Sequence, residues 1–292
     1  MSRSDRSRSE LGLDLSGLRL NLEGLGGDLV GRLTRDWPAF VTVPADCPFL
    51  HLSIEIADDV AASEEAYAPK EMRSALAPGR ARYWMPEGSA EVDSSGTSRI
   101  RLTCGGGRSY YTLINMLRAS LAWSLPSRGG ALLHAAGLAL GQRAFLLVGP
   151  EGSGKSTWAR LGEREGAHVI SDDLVLIDGI GSTFEVLGTP FRSTHVSRLE
   201  AARWPLAAIL FPRHGAEAAL APLTSVAVRS RLLANLPFVA EGIERDSRIE
   251  HVLERLATGV VCRELTFGRD GSFVELLRQW STGERLPGRA ES

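Results

Sequence analysis

The sequence predicts an α/β protein, with a mixed-sheet domain built around a glycine-rich phosphate loop and a β-rich accessory domain before it. Three observations lead there. Gly149-Pro-Glu-Gly-Ser-Gly-Lys-Ser156 fits the pattern G-x-x-x-x-G-K-[ST] at every fixed position. Around and after it, short apolar runs alternate with segments of helical period, whereas the first hundred residues show mainly the period of two that marks strands.

The division predicted is a disordered tail over 1–10, an accessory domain over 11–108 and a catalytic domain over 109–292. In the accessory domain, Leu11, Leu13 and Leu15, then Leu18, Leu20 and Leu22, alternate with polar or small residues and read as strands. Phe49 to Ile56, Arg80 to Met85 and Arg99 to Thr103 are further strand candidates. The stretches 58–79 and 86–98, rich in Ala, Pro, Gly, Ser and acidic residues, read as loops or surface helix. Leu113, Met116, Leu117 and Leu121 fall on one face of a helix spanning Tyr110 to Leu125. Leu132 to Leu140 and Ala144 to Val148 read as strands, Ser156 to Glu165 as the helix after the loop, and His168 to Ser171 as a strand delivering Asp172 and Asp173. Leu174 to Asp178 and Phe184 to Leu187 are too close for a parallel crossover, so they are expected to pair antiparallel, which makes the sheet mixed. Ala207 to Phe211 and Val260 to Phe267 are strand-like. Ile249, Val252, Leu253 and Leu256 mark one late helix, and Phe273, Leu276, Leu277 and Trp280 another.

Composition excludes several classes. The net charge of −2 gives no basic field for nucleic acid, and no apolar run is long enough to span a membrane. The basic start, Met1 to Glu10, leads into no signal-peptide core. Cys47, Cys104 and Cys262 show no metal spacing and read as reduced packing residues, so a cytoplasmic protein is expected. Lys and Arg together number 33, and only Lys70 and Lys155 are lysines. A chain that uses arginine almost wherever it needs a cation keeps a compact ammonium in the loop, where a point charge suits phosphate.

The loop chemistry follows from its residue types. Gly149, Gly152 and Gly154 let backbone N–H groups crowd around phosphate oxygens together with those of Ser153, Ser156 and Thr157, and the helix dipole favours the anion. Lys155 would reach the β- and γ-phosphates of ATP, and the Ser156 hydroxyl would bind Mg²⁺. His134 precedes the loop, and Asp172-Asp173 follow it at the end of a strand. One carboxylate of such a pair can hold Mg²⁺ and the other can accept a proton from an attacking hydroxyl, the two parts that phosphoryl transfer needs beyond a phosphate cradle.

His134-Ala-Ala, the loop from Gly149 to Ser156, and Gly166-Ala-His-Val-Ile-Ser-Asp-Asp173 together resemble the catalytic domain of bacterial HPr kinase/phosphorylase, and especially the related small kinases that tailor ribosomal peptides such as lasso peptides. The resemblance covers about 110–292 and is densest over 132–178, with Phe211-Pro-Arg213 and Arg263 to Gly268 similar to late segments of those kinases. It implies a mixed-sheet fold similar to that of ATP-dependent phosphoenolpyruvate carboxykinase. It further implies an ATP- and Mg²⁺-dependent kinase acting on a hydroxyl of a peptide, small protein or small molecule. In that reading Lys155 holds the β/γ-phosphates, Ser156 and Asp173 the metal, Asp172 acts as general base, and His134 positions phosphate or the aspartates.

Two departures narrow the expectation. Glu151 stands where the family has a serine that helps hold free phosphate for the reverse reaction, so kinase without phosphorylase activity is expected. The family's Leu-Glu-Ile-Arg-Gly segment is absent, and Gly188 to Glu200 occupies its region, which removes the warrant for HPr itself as acceptor. Arg192 and Arg213 are candidates for steadying transferred charge. The alternative function is an ATP-binding sensor or assembly module with little turnover, its first domain serving a partner.

Overall fold

The computed structural model describes residues 9–57, 72–103, 107–179, 181–191, 200–239 and 246–281. Most of the expected tail lies outside the described residues, as do Lys70, Cys104 and Arg192. The chain forms an α/β structure with two mixed sheets, and contacts divide it into two compact units, one running to Ser127 and the other starting at Arg128.

The first unit holds β1 (Ser9–Leu15), β2 (Leu18–Leu25), α1 (Gly27–Asp36), β3 (Val41–Thr42), β4 (Leu50–Ala57), β5 (Arg73–Ala77), β6 (Arg80–Met85), β7 (Gly88–Asp93), β8 (Thr97–Thr103) and α2 (Gly107–Ser124). Its sheet runs β3-β1-β2-β4-β8-β7-β6-β5, with β2–β4 and β4–β8 parallel. The leucine alternation becomes a register: Leu11 pairs with Leu22, Leu13 with Leu20 and Leu15 with Leu18. All six are buried, because a hairpin in that register puts both leucine rows on one face.

Three expectations are corrected here. β5 and β7 are strands within stretches read as loop or surface helix; β7 is held by ladders on both sides, from β6 and β8, which outweighs the weak strand preference of Gly88, Ser89 and Ala90. The expected tail already pairs at Ser9 and Glu10. The helix expected to open the second domain, α2, packs on β6, β7 and β8, so the division falls after Ser127 and not after Arg108. Its Ser120 Oγ lies 2.9 Å from Ser98 Oγ of β8, and its burial extends beyond the predicted face to Thr112, Ala119, Ala122 and Trp123.

The second unit contains β9 (Ala131–Leu140), β10 (Arg143–Val148), α3 (Lys155–Arg164), β11 (His168–Ser171), β12 (Leu174–Asp178), β13 (Glu185–Leu187), β14 (Arg203–His214), β15 (Ala219–Pro222), α4 (Ser225–Leu233), α5 (Ser247–Gly259), β16 (Val261–Phe267) and α6 (Phe273–Ser281). The expected antiparallel pair β12–β13 forms, while β10, β14 and β16 run parallel. The pairings β9–β12–β13–β14–β10–β9 close a ring, with β16 and then β15 attached to β14 and β11 to β9. Neither β15 nor α4 was anticipated; β15 is four residues long and α4 buries only Val228 and Leu232, so neither carries a strong periodic signal.

The core of this unit lies between the sheet and two helices. Ala136, Leu138 and Leu140 of β9, Phe145 and Leu147 of β10, Leu210 of β14 and Phe267 of β16 pack against Trp158 and Leu161 of α3 and Phe273 and Leu277 of α6. Burying the leucines and phenylalanines among these contributes on the order of 1.5–3 kcal/mol each. Alternation along β9 places His134 in the same row as Ala136, Leu138 and Leu140, two residues nearer the edge where α3 begins.

Candidate functional site

The site lies at the edge of the second sheet where the parallel strands end. Val148 ends β10 opposite Ala135, and Leu147 lies beside Leu210, so the glycine loop leaves the sheet level with His134 and with the Phe211-Pro212 stretch of β14. The carboxyl ends of parallel strands are where α/β sheets place their ligands.

Three glycines shape the loop for three reasons. A Cβ at Gly149 would come within 2.7 Å of Ser153 Oγ and 2.8 Å of Pro212 Cγ, so only glycine fits between the loop and β14. Gly152 and Gly154 have φ of 76° and 97°, a region L side chains rarely adopt. Gly154 is the N-cap of α3 and has no side chain to satisfy the helix's first N–H groups. Those groups have no partner within the helix and point past the loop, with the positive end of the dipole behind them.

Lys155, the first residue of α3, is buried, and its Nζ donates to the carbonyls of Gly149 at 2.6 Å and Pro150 at 2.8 Å. Burial pushes the ammonium below its ordinary value, against the opposing pull of Asp173 and then of Glu151. The lysine is therefore inside the loop it belongs to, within the field of one aspartate of the pair. Ser156 is exposed, Ser153 and Thr157 are half-buried, and Glu151 is exposed at the loop's tip.

His134 and the aspartates come together as well. His134 Nδ1 is 3.2 Å from Asp173 Oδ1, with each side chain about one-third exposed. His134 lies inside β9, within the strand expected over Leu132 to Leu140, where Leu174 is its cross-strand partner and its N–H donates to Asn235 O at 2.9 Å. The Asp173 carbonyl accepts from Ala135 N–H at 3.0 Å. Asp172, by contrast, is 3% exposed.

Of the remaining candidates, Arg213 on β14 is exposed and its Nη1 lies 3.3 Å from Glu264 Oε1, while Arg231 Nη2 lies 3.0 Å from Glu264 Oε2. Arg231 and then Arg213 hold the Glu264 carboxyl below its ordinary value. Sequence reasoning missed three neighbours of the loop. Pro212 abuts Gly149, and a Cβ at Gly154 would lie 3.3 Å from Phe267 Cζ and 3.7 Å from His214 Cε1. The two late segments singled out for their resemblance contain Pro212 and Phe267, which was the available signal; His214 carried none.

Among the described residues no group of three or more His, Cys, Asp or Glu side chains is gathered to hold a metal ion. Mg²⁺ on a nucleotide does not need one, since it keeps its waters and binds through one or two protein oxygens plus phosphates. The Ser156 hydroxyl and the Asp172-Asp173 carboxylates are hard donors of that kind. Among the described residues no helix is long and apolar enough to cross a membrane. Comparison with known proteins finds no matching family model and no matching curated relative.

Proposed function

We propose that the protein is an ATP-dependent, Mg²⁺-dependent kinase of the HPr kinase-like type, transferring the γ-phosphoryl group to a hydroxyl of a peptide, small protein or small molecule. The observation that supports this best is the convergence at one sheet edge of the glycine loop with its buried Lys155 and the His134–Asp173 pair. A loop alone binds phosphate. A loop facing an oriented carboxylate also has a group to take the acceptor's proton.

In this reading the N–H groups at the start of α3 and the Lys155 ammonium hold the phosphates, and the Ser156 hydroxyl and an aspartate would hold Mg²⁺, which when bound would supply charge neutralisation at the phosphates. The acceptor oxygen forms a new bond to the γ-phosphorus, the bond to the bridging oxygen breaks, ADP leaves, and the acceptor proton passes to a carboxylate. The resemblance gives that carboxylate as Asp172. Accessibility favours Asp173, because a base must reach the acceptor, and His134 orients it. We therefore assign the base role to Asp173. Glu151 at the exposed tip places a negative charge beside the phosphates that would disfavour binding of free phosphate for the reverse reaction.

The test is incubation with Mg-ATP and hydroxyl acceptors, read as a phosphate mass gain on the acceptor. Asp173→Asn is expected to lower transfer by about 10²- to 10⁴-fold with ATP affinity largely kept. Transfer retained in Asp173→Asn but lost in Asp172→Asn would return the role to Asp172. Tight ATP binding with no turnover for any acceptor would favour the nucleotide-sensing module instead.

A further inference from the structure

The loop sits between two flanks of the sheet, and the two flanks carry different chemistry. On one side of β10 lies β9, bearing His134, with Asp173 on the stretch joining β11 and β12. On the other side lies β14, parallel to β10, and beyond it β16. Adjacent strands are about 4.8 Å apart, so β9 and β14 are separated by roughly 10 Å across the loop.

A bound nucleoside triphosphate must span this edge in one direction. With the γ-phosphate toward Asp173 and its histidine, the nucleoside end leaves over β14. There the chain runs past Pro212, against Gly149, to His214, whose ring is exposed and close to Gly154, the last glycine of the loop. The segment after His214 crosses the end of β16: Gly215 N–H bonds Phe267 O, and Gly268 is close enough to Ala216 that a Cβ there would be 3.0 Å from its carbonyl oxygen. This backing holds His214 at the rim of the loop on a strand end, while Phe267 fills the space beneath it and packs edge-on against Phe273.

We propose that His214 is the nucleoside seat of this site: its imidazole face carries the base or ribose of the bound nucleotide, with Gly215 and Ala216 as the wall behind. An exposed planar ring beside a phosphate cradle suits stacking, which tolerates any base and gives affinity without hydrogen-bond readout. The inference rests on the glycine loop being a nucleotide site, and its test separates the two.

The probes are Mg-ATP and Mg-tripolyphosphate, which shares the phosphate chain and lacks the nucleoside, each titrated calorimetrically into the full chain. His214→Ala is expected to weaken Mg-ATP binding about tenfold and leave tripolyphosphate affinity unchanged, as loss of one stacking contact predicts. His214→Phe, which keeps a planar ring, should restore most of the ATP affinity and shows that the loss is not a folding defect. Unchanged ATP affinity in His214→Ala, or an equal loss for both probes, overturns the seat and leaves the phosphate site standing. Wild-type protein that binds neither probe overturns the nucleotide reading and the seat with it.

Discussion

Replacing Gly154 with Ala tests whether the loop's conformation is stored in its glycines, and Gly152 supplies the internal control. Both have positive φ, 97° and 76°, so each alanine incurs the left-handed strain of about 1–2 kcal/mol. Their surroundings differ. A Cβ at Gly152 meets nothing within 4 Å, whereas at Gly154 it lies 3.3 Å from Phe267 Cζ. Phe267 is 4% exposed and its ring lies 5.6 Å from that of Phe273, so it has little room to withdraw. Crowding of this kind adds about 1 kcal/mol or somewhat more. The expected losses are about 1.5 kcal/mol for Gly152→Ala and about 2.5–3 kcal/mol for Gly154→Ala. At roughly 3 °C per kcal/mol for a unit of this size, the melting temperature falls by about 4 °C and about 8 °C respectively. Thermal unfolding followed by circular dichroism measures both. Equal shifts would remove Phe267 from the account, and a Gly154→Ala protein melting within about 1 °C of wild type would refute the strain argument altogether.

Two further outcomes follow from ionisable groups. Asp178 is fully buried, and its carboxylate accepts from Arg128 Nε at 2.8 Å and Arg203 Nη2 at 2.7 Å, tying the end of β12 to the start of β14. Removing one member of a buried pair costs about 3–5 kcal/mol, and the partial exposure of both arginines lowers the expectation for Asp178→Asn to about 2–3 kcal/mol, read as a shift in urea midpoint at constant m; an unchanged midpoint would show that water already serves these arginines. Burial lowers the folded-state pKa of Lys155, so between that depressed value and 10.5 the unfolded chain binds more protons than the folded one and stability rises with pH. Lys155→Met should lack that rise, so its stability relative to wild type should fall as pH approaches 10.5 in paired urea titrations; parallel pH profiles would contradict the burial.

The loop, its strand and helix, the mixed pairing of the sheet and the strands of the leucine alternation were all readable because each rests on local chemistry: glycine at positive φ, period-two burial, or a connection too short to cross over. What was not readable depends on neighbours distant in sequence. β7 becomes a strand because β6 and β8 bond to it, although Gly88-Ser-Ala90 has little strand preference of its own. The amphipathic face of α2 was visible, but nothing in Leu113 or Met116 says which sheet it covers. His214 is an ordinary exposed histidine until the parallel pairing of β10 and β14 brings it to the loop.

The meeting of His134 and Asp173 shows how a long-range pair can still arise from a local rule being broken. β11 and β12 run in line along one edge of β9: Ser171 pairs with Gly137, Leu174 with His134, and Asp173 bonds Ala135 between them. In an unbroken ladder, directly paired residues share a face, so Asp173 would side with Ala135 and point away from His134. The backbone bends at Asp172 and Asp173, the two residues that separate β11 from β12. That bend frees Asp173 from the alternation and lets its carboxylate reach His134 Nδ1, while Asp172 turns into the interior. Two adjacent carboxylates are thereby given unlike surroundings, one buried and one facing the loop lysine. Filling the bend with residues that favour a continuous strand, as in Asp172→Val, should return position 173 to the far face. The His134–Asp173 contact would then be lost even though both residues remain, and a crystal structure of the variant that still holds His134 Nδ1 within hydrogen-bond reach of Asp173 Oδ1 would show that the bend is not what makes the pair.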